Sequence, residues 1–350
     1  MTLHWSDWPE DVLRQLREGC VIPASPLVLT ENRAFDPVRQ SALMRYYIDA
    51  GAGGVAVGVH ATQFEIRQAG LYEPVLRTAA DAIDGWSDKP IVRIAGLAGN
   101  TKQAVSEAET ARGLGYHAGL LSFAAFKKAS EAEIIEHCRT VADILPLVGF
   151  YLQLAVGGIL LSTDFWRRFA EIENVAAIKI APFSRYRTLD VVRGVAMARA
   201  EGRIALYTGN DDNIVMDLIA PYKIARGSEA VTLRIVGGLL GHWSVWVKGA
   251  VDLLRRCKEY PPDHRLLTVG GQVTDCNAAF FDVANDFNGC IAGIHEVLRR
   301  QGLIEGIWCL DPAAVLSPGQ LAEIDRVYRE YPDLNDDRFV AENLHRWLES

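Results

Sequence analysis

The chain has 350 residues, 49% of them hydrophobic and 23% charged, with a formal charge of −8 at neutral pH. These are proportions of an ordinary globular protein, far from those of a disordered chain. The acidic balance and the lack of a basic tract argue against a nucleic-acid partner, and no apolar run approaches the ~18 residues of a transmembrane helix. The first residues also lack a charged-then-apolar leader pattern, so a cytoplasmic protein with no membrane association is expected. Six cysteines stand singly, and the eight histidines form no HxH or HExxH group, so reduced thiols and no metal site are expected.

Residues 1–19 read as a short amphipathic helical segment with Trp5, Trp8, Val12 and Leu16 on one stripe. From residue 20 onward, short β-rich runs alternate with helical patterns, as in parallel strands joined by crossover helices. Eight strands are predicted, at residues 20–25, 54–59, 90–95, 118–123, 147–152, 176–181, 204–208 and 230–235. Each is almost continuously apolar, the pattern of a strand buried on both faces. Helix starts are marked by Asp36-Pro37, Asn100-Thr101 and Ser130-Glu131, and Gly51, Gly53 and Gly115 fall where helices end. Eight such units predict an α/β protein, a (β/α)8 TIM barrel over residues 20–245, with a C-terminal helical region at 246–350 packed on it. That region is predicted to form helices at 245–257 and 277–300, a loop and helix within 311–336, and a last helix at 339–348.

In such a barrel the chemistry lies at the C-terminal ends of the strands. Lys179 interrupts the apolar run Val175-Ala176-Ala177-Ile178-Lys179-Ile180-Ala181 of the sixth predicted strand. A buried ammonium must be paired or give up its proton, and a neutral amine is a nucleophile that attacks carbonyls to form a Schiff base. The competing reading is a lysine that snorkels to water. Tyr151 closes the fifth strand, where a phenol beside the lysine would shuttle protons.

Five motifs in chain order resemble the family of dihydrodipicolinate synthase and N-acetylneuraminate lyase, class I Schiff-base aldolases on a (β/α)8 barrel. They are Pro23-Ala24-Ser25-Pro26-Leu27, Ala52 to Gly58, Phe150-Tyr151, Ala177-Ile178-Lys179 and Tyr207-Thr208-Gly209-Asn210-Asp211. The resemblance implies that Lys179 forms the imine and Tyr151 carries its protons, with no further cofactor. It also implies a homodimer or homotetramer acting on a small carbonyl substrate. The departures are equally specific. The family loop Gly-Thr-Thr-Gly-Glu, which binds a 2-oxo acid carboxylate, stands here as Gly58-Val59-His60-Ala61-Thr62. The relay tyrosine borrowed from a neighbouring subunit is missing from residues 123–128, and the substrate-binding arginine falls at about Val156.

Dihydrodipicolinate synthase activity itself is therefore not expected. The expected function is a metal-independent lyase acting on a 2-oxo acid, sugar acid or keto-sugar. Dehydration of a sugar acid through the same imine, or a non-catalytic ligand-binding barrel, are the alternatives. The substrate-binding candidates are His60, Ala61 and Thr62 in the second strand's loop, with Gln153 and Asn210 as hydrogen-bonding groups after strands five and seven. Arg234, inside the eighth predicted run, is the last. His60 would act as a base or grip a substrate oxygen, or be satisfied by a loop carbonyl. Arg234 would bind a substrate carboxylate, or pair internally with Asp211 or Glu65. Glu65 is expected to order its loop, and Arg185 and Arg187 to face solvent.

Overall fold

The computed structural model describes residues 2–349, so residues 1 and 350 of the first and last predicted segments lie outside it. In chain order the strands are β1 (Val21–Pro23), β2 (Gly54–Val57), β3 (Val92–Leu97), β4 (Ala118–Leu121), β5 (Leu147–Leu152), β6 (Val175–Ala181), β7 (Ala205–Thr208), β8 (Pro221–Arg226) and β9 (Glu229–Leu240). The helices are α1 (Glu10–Glu18), α2 (Pro37–Ala50), α3 (Tyr72–Trp86), α4 (Thr101–Gly113), α5 (Glu131–Ala142), α6 (Thr163–Ala170) and α7 (Arg185–Met197). They continue with α8 (Ile214–Ile219), α9 (Val247–Cys257), α10 (Arg265–Phe280), α11 (Cys290–Arg300), α12 (Gln320–Glu330) and α13 (Asp337–Leu348). Two compact units share these elements. One comprises the residues up to Cys20 with Val92–Leu239, the other Val21–Ile91 with the residues from Leu240 onward. Together they supply the eight parallel strands of a (β/α)8 barrel.

In the first unit β3, β4, β5, β6, β7 and β9 are parallel neighbours in that order. Every residue of β6 is buried, which explains its apolar spelling on either side of Lys179. The predicted caps form: Asn100 Oδ1 accepts from the Gln103 amide at 3.1 Å, and Ser130 makes a reciprocal capping box with Glu133. The N-terminal segment lies at the starts of the strands. Leu3 donates to the Ile144 carbonyl, Trp5 Nε1 donates to the Glu173 carbonyl at 2.9 Å, and Trp8 packs edge-on against His117. Of its predicted stripe, Trp8, Val12 and Leu16 are buried and Trp5 is half-buried. Burial of each such side chain contributes about 1.5 to 3 kcal/mol. The helix ends at Gly19, whose φ of 88° suits glycine and whose position leaves no room for a Cβ, which would sit 1.9 Å from the Val236 carbonyl oxygen.

The eighth barrel strand differs from expectation. Residues 229–234 belong to a hairpin in which β8 and β9 pair antiparallel, from Arg226 opposite Glu229 to Pro221 opposite Arg234. Only the later part of β9 joins the barrel, with Ile235 beside Leu206 and Gly238 beside Thr208. The turn Gly227-Ser228, with Gly227 at φ 62°, has the glycine-first pattern of a two-residue hairpin, and that sequence signal was there to be read.

In the second unit β1 and β2 run parallel, bridged at Ala24 and Ala56. Asp36 caps α2 on the Arg39 amide at 3.0 Å, with Pro37 in its first turn and Gly51 left-handed at its end. The C-terminal region holds one more helix than the sequence suggested. The predicted 277–300 helix is broken, because Asp282, Asp286 and Phe287 all adopt positive φ between α10 and α11. The run Asn285-Asp286-Phe287-Asn288-Gly289 supplies those turns. Farther on, α13 is pinned to α2: Trp347 is fully buried with its ring 5.3 Å from that of Tyr46, and its Nε1 donates to Asp49 at 2.8 Å. The Tyr46 hydroxyl donates to Asp336 at 2.7 Å and accepts from the Val247 amide at 2.9 Å.

Candidate active site

Lys179 sits near the C-terminal end of β6, 8% exposed, between Phe150 of β5 and Tyr207 of β7. Its Nζ lies 4.6 Å from the centre of the Phe150 ring. Burial pulls its pKa down to about 8, against the opposing attraction of the Asp211 carboxylate. The snorkelling alternative thus fails, because the amine is inside the barrel wall. Its side chain lies across Gly209, where a Cβ would come within 2.6 Å of Lys179 Cε. Asp211 is 5% exposed in the turn that follows, and its amide donates to the Gly209 carbonyl at 3.1 Å.

Tyr151 is not beside the lysine. Its ring packs on Trp166 of α6 with centroids 5.2 Å apart, and its hydroxyl donates to the Leu161 carbonyl at 3.2 Å and accepts from the Leu161 amide at 3.3 Å. Gly149, on the same side of β5, likewise faces Phe169 and Trp166. Side chains alternate along a strand, so of the pair Phe150-Tyr151 one must face the lysine and the other the helix layer. The register sets Phe150 against Lys179. The expected proton shuttle is therefore corrected.

The strand-two loop is built around Thr62. Its hydroxyl donates to the Ser25 carbonyl at 2.7 Å and accepts from the amides of Gly58 (2.9 Å) and Val59 (3.2 Å). Thr62 thus orders the loop and uses up two amides, so its expected role in substrate binding is corrected. Ala61 is buried beside it, and His60 is half-buried with its ring 6.0 Å from Phe64. Glu65 is exposed.

Asn210 is also committed elsewhere. It accepts from the Phe183 amide at 3.0 Å and donates to Thr188 at 3.1 Å and Asp217 at 2.8 Å, which makes it a brace for the strand-seven turn and corrects the expectation of a substrate contact. Gln153 is half-buried, at the start of a loop whose Leu154 and Leu160 are exposed. Arg185, half-buried, reaches Asp212 at 3.4 Å, and Arg187 pairs with Asp190 at 3.2 Å, so neither simply faces solvent. Arg234 is exposed on the hairpin and donates to the Ile219 carbonyl at 3.4 Å. It lines a surface hollow with Glu201, Ile204 and Ala205, at the start of β7, opposite the end that bears Lys179. Its expected place at the mouth is corrected: exposed Thr232 and Arg234 alternate with buried Leu233 and Ile235, the pattern of a hairpin with one face in water.

All six cysteines are free and buried, and among the described residues no group of three or more His, Cys, Asp or Glu could hold a metal ion. Among them, too, no helix is long and apolar enough to cross a membrane.

A desolvated amine on an inner strand of an α/β barrel is the equipment of an aldolase-type lyase. The profile of the dihydrodipicolinate synthetase family matches residues 20–241, and the chain belongs to that family of aldolase-type lyases. A 4-hydroxy-tetrahydrodipicolinate synthase of Marinobacter nauticus is 28% identical over 223 residues, 62% of this chain and 72% of that one. Among solved structures, CdNal of Clostridium difficile in complex with mannosamine superposes with a TM-score of 0.73 at 18% identity, covering 89% of this chain and 99% of that one. Dihydrodipicolinate synthase of Oceanobacillus iheyensis gives 0.74 at 16% identity, covering 92% and 100%. These superpositions carry the fold.

Proposed function

We propose that this protein is a metal-independent, Schiff-base-forming lyase whose nucleophile is Lys179. The observation that carries the reading is the buried amine itself. Roughly a quarter of a lysine with a pKa of about 8 is neutral at pH 7.5, against about 0.1% of an unperturbed one. The neutral Nζ attacks a substrate carbonyl carbon, loss of water gives an iminium, and the iminium accepts the electron pair of a neighbouring C–C bond or C–H bond to leave an enamine.

The changed strand-two loop supports a keto-sugar or sugar-acid substrate in place of pyruvate with a semialdehyde. The Gly58 and Val59 amides already serve Thr62, the tandem threonines are absent, and no arginine stands at Val156. His60 and Gln153 are the polar groups we assign to substrate oxygens. A cytoplasmic homo-oligomer, dimer or tetramer, completes the reading.

The test is borohydride trapping with a panel of keto-sugars and 2-oxo acids, read by intact mass. The wild type should gain one adduct, on a peptide containing Lys179, and both Lys179→Ala and Lys179→Arg should gain none, because a guanidinium stays protonated. An adduct that persists in either variant moves the imine to another lysine and overturns the assignment. Strong trapping by pyruvate at ordinary concentrations would overturn the substrate reading alone, and a monomer mass by light scattering would overturn the oligomer.

A further inference from the structure

We propose that Asp211 carries the protons of imine formation at Lys179, the task that the residue order of β5 had pointed to for Tyr151. The inference rests on Lys179 as the imine-forming amine and adds the identity of its acid/base partner. Three observations support it. The Tyr151 hydroxyl is tied to both the amide and the carbonyl of Leu161, on the side of β5 that faces Trp166. The wall beside Nζ on β5 is instead the ring of Phe150, which has no proton to give. Just past β7 the chain narrows to glycine at position 209, where the lysine stem lies across it, two residues before Asp211. That carboxylate is buried there, and its charge acts on the ammonium.

The proton balance closes with this pair alone. Asp211 takes one proton from the Lys179 ammonium, and the freed amine attacks the carbonyl carbon, whose π pair moves to oxygen. The Asp211 carboxyl returns the proton to that oxygen, giving a carbinolamine with a cationic nitrogen. It then takes a second proton from this nitrogen and passes it to the hydroxyl, which leaves as water as the C=N bond forms. Ammonium and carbonyl become iminium and water, and Asp211 ends ionised as it began. Asp211 follows by two residues the glycine on which the lysine stem rests, and its charge acts on the ammonium; loss of a general acid/base typically costs 10²- to 10⁴-fold.

The experiment uses 2,4-pentanedione, a diketone that condenses with a neutral lysine to a chromophoric vinylogous amide and needs no knowledge of the natural substrate. Lys179→Ala should abolish the chromophore; if it does not, the imine assignment fails and Asp211 is not at issue. With that control in place, Asp211→Asn should slow adduct formation by about 10²-fold at every pH, Asp211→Glu should recover part of the rate, and Tyr151→Phe should stay within about threefold of wild type. The direction separates catalysis from mere electrostatics. Removing a negative charge beside Lys179 lowers its pKa further and enlarges the neutral fraction, so a purely electrostatic Asp211 predicts a faster reaction in Asp211→Asn. A rate equal to or above wild type in that variant would overturn the proposal, as would a large loss confined to Tyr151→Phe.

Discussion

A lysine whose pKa is pulled down by burial costs stability whenever the medium protonates it, and that cost is measurable as a pH slope. The fall of the Lys179 pKa from 10.5 to about 8 is equivalent to about 3 kcal/mol at 1.36 kcal/mol per pH unit. Between those two values the unfolded chain binds a proton that the folded chain does not, so this group makes stability rise with pH across that window. Below about pH 8 both states bind the proton and the full penalty stands; above about 10.5 neither does and the penalty is gone. The Lys179→Met variant lacks the titration, so the comparison isolates it. The unfolding free energy of wild type minus that of Lys179→Met should increase by roughly 2 kcal/mol from pH 7 to pH 9.5. The attraction to Asp211 is already contained in the folded-state pKa of about 8, and the pH-independent packing changes of the variant cancel from the slope. Urea unfolding followed by tryptophan fluorescence, extrapolated to water at each pH, provides the numbers. A difference flat with pH would show that Lys179 titrates normally in the folded protein, and would remove the physical basis for its nucleophilicity.

Gly209→Ala places a methyl 2.6 Å from Lys179 Cε and 2.8 Å from Ala181 Cβ; it should cost about 1 to 3 kcal/mol by urea denaturation and cut borohydride trapping at least tenfold, and unchanged trapping would mean the lysine lies elsewhere. Thr62→Val leaves the Gly58 and Val59 amides without their buried acceptor and should cost about 2 to 3 kcal/mol, whereas a neutral result would show that the hydroxyl does not organise the loop. Trp347→Ala should lose about 3 to 5 kcal/mol in the same assay, from the cavity left against Tyr46 and Phe339 and the lost bond to Asp49; a loss under about 1 kcal/mol would mean that α13 is not packed on α2.

The βα alternation and the buried lysine were readable because each leaves a one-dimensional mark. Strands buried on both faces spell continuous apolar runs, and one ammonium inside such a run stands out. The face a strand residue presents leaves no such mark. Phe150 and Tyr151 are both apolar enough for either side, and a shift of one position exchanges them, so family-like spacing placed the tyrosine on the wrong side. Arg234 misled for a related reason: residues 230–235 look like a strand and are one, but up to Arg234 their pairing is to β8, and the barrel portion, from Ile235, runs on into a glycine-rich stretch that reads as loop. Asn210 and Thr62 stand at motif positions, yet their polar atoms are consumed by neighbours that only the folded chain brings together.

The bond from Tyr46 to Asp336 closes a loop across 290 positions of sequence. In an unfolded chain a closure of that length costs about 5 kcal/mol of configurational entropy. The contacts that offset it, Tyr46 with Phe339 and Trp347 and Trp347 with Asp49, become available only once α13 has found α2. Until then the side of Tyr46 that ends against Phe339 and Trp347 stays open to water on a helix synthesised early. A chain from which α13 is detached therefore presents an aromatic surface of its own on α2, open to association with other apolar surfaces.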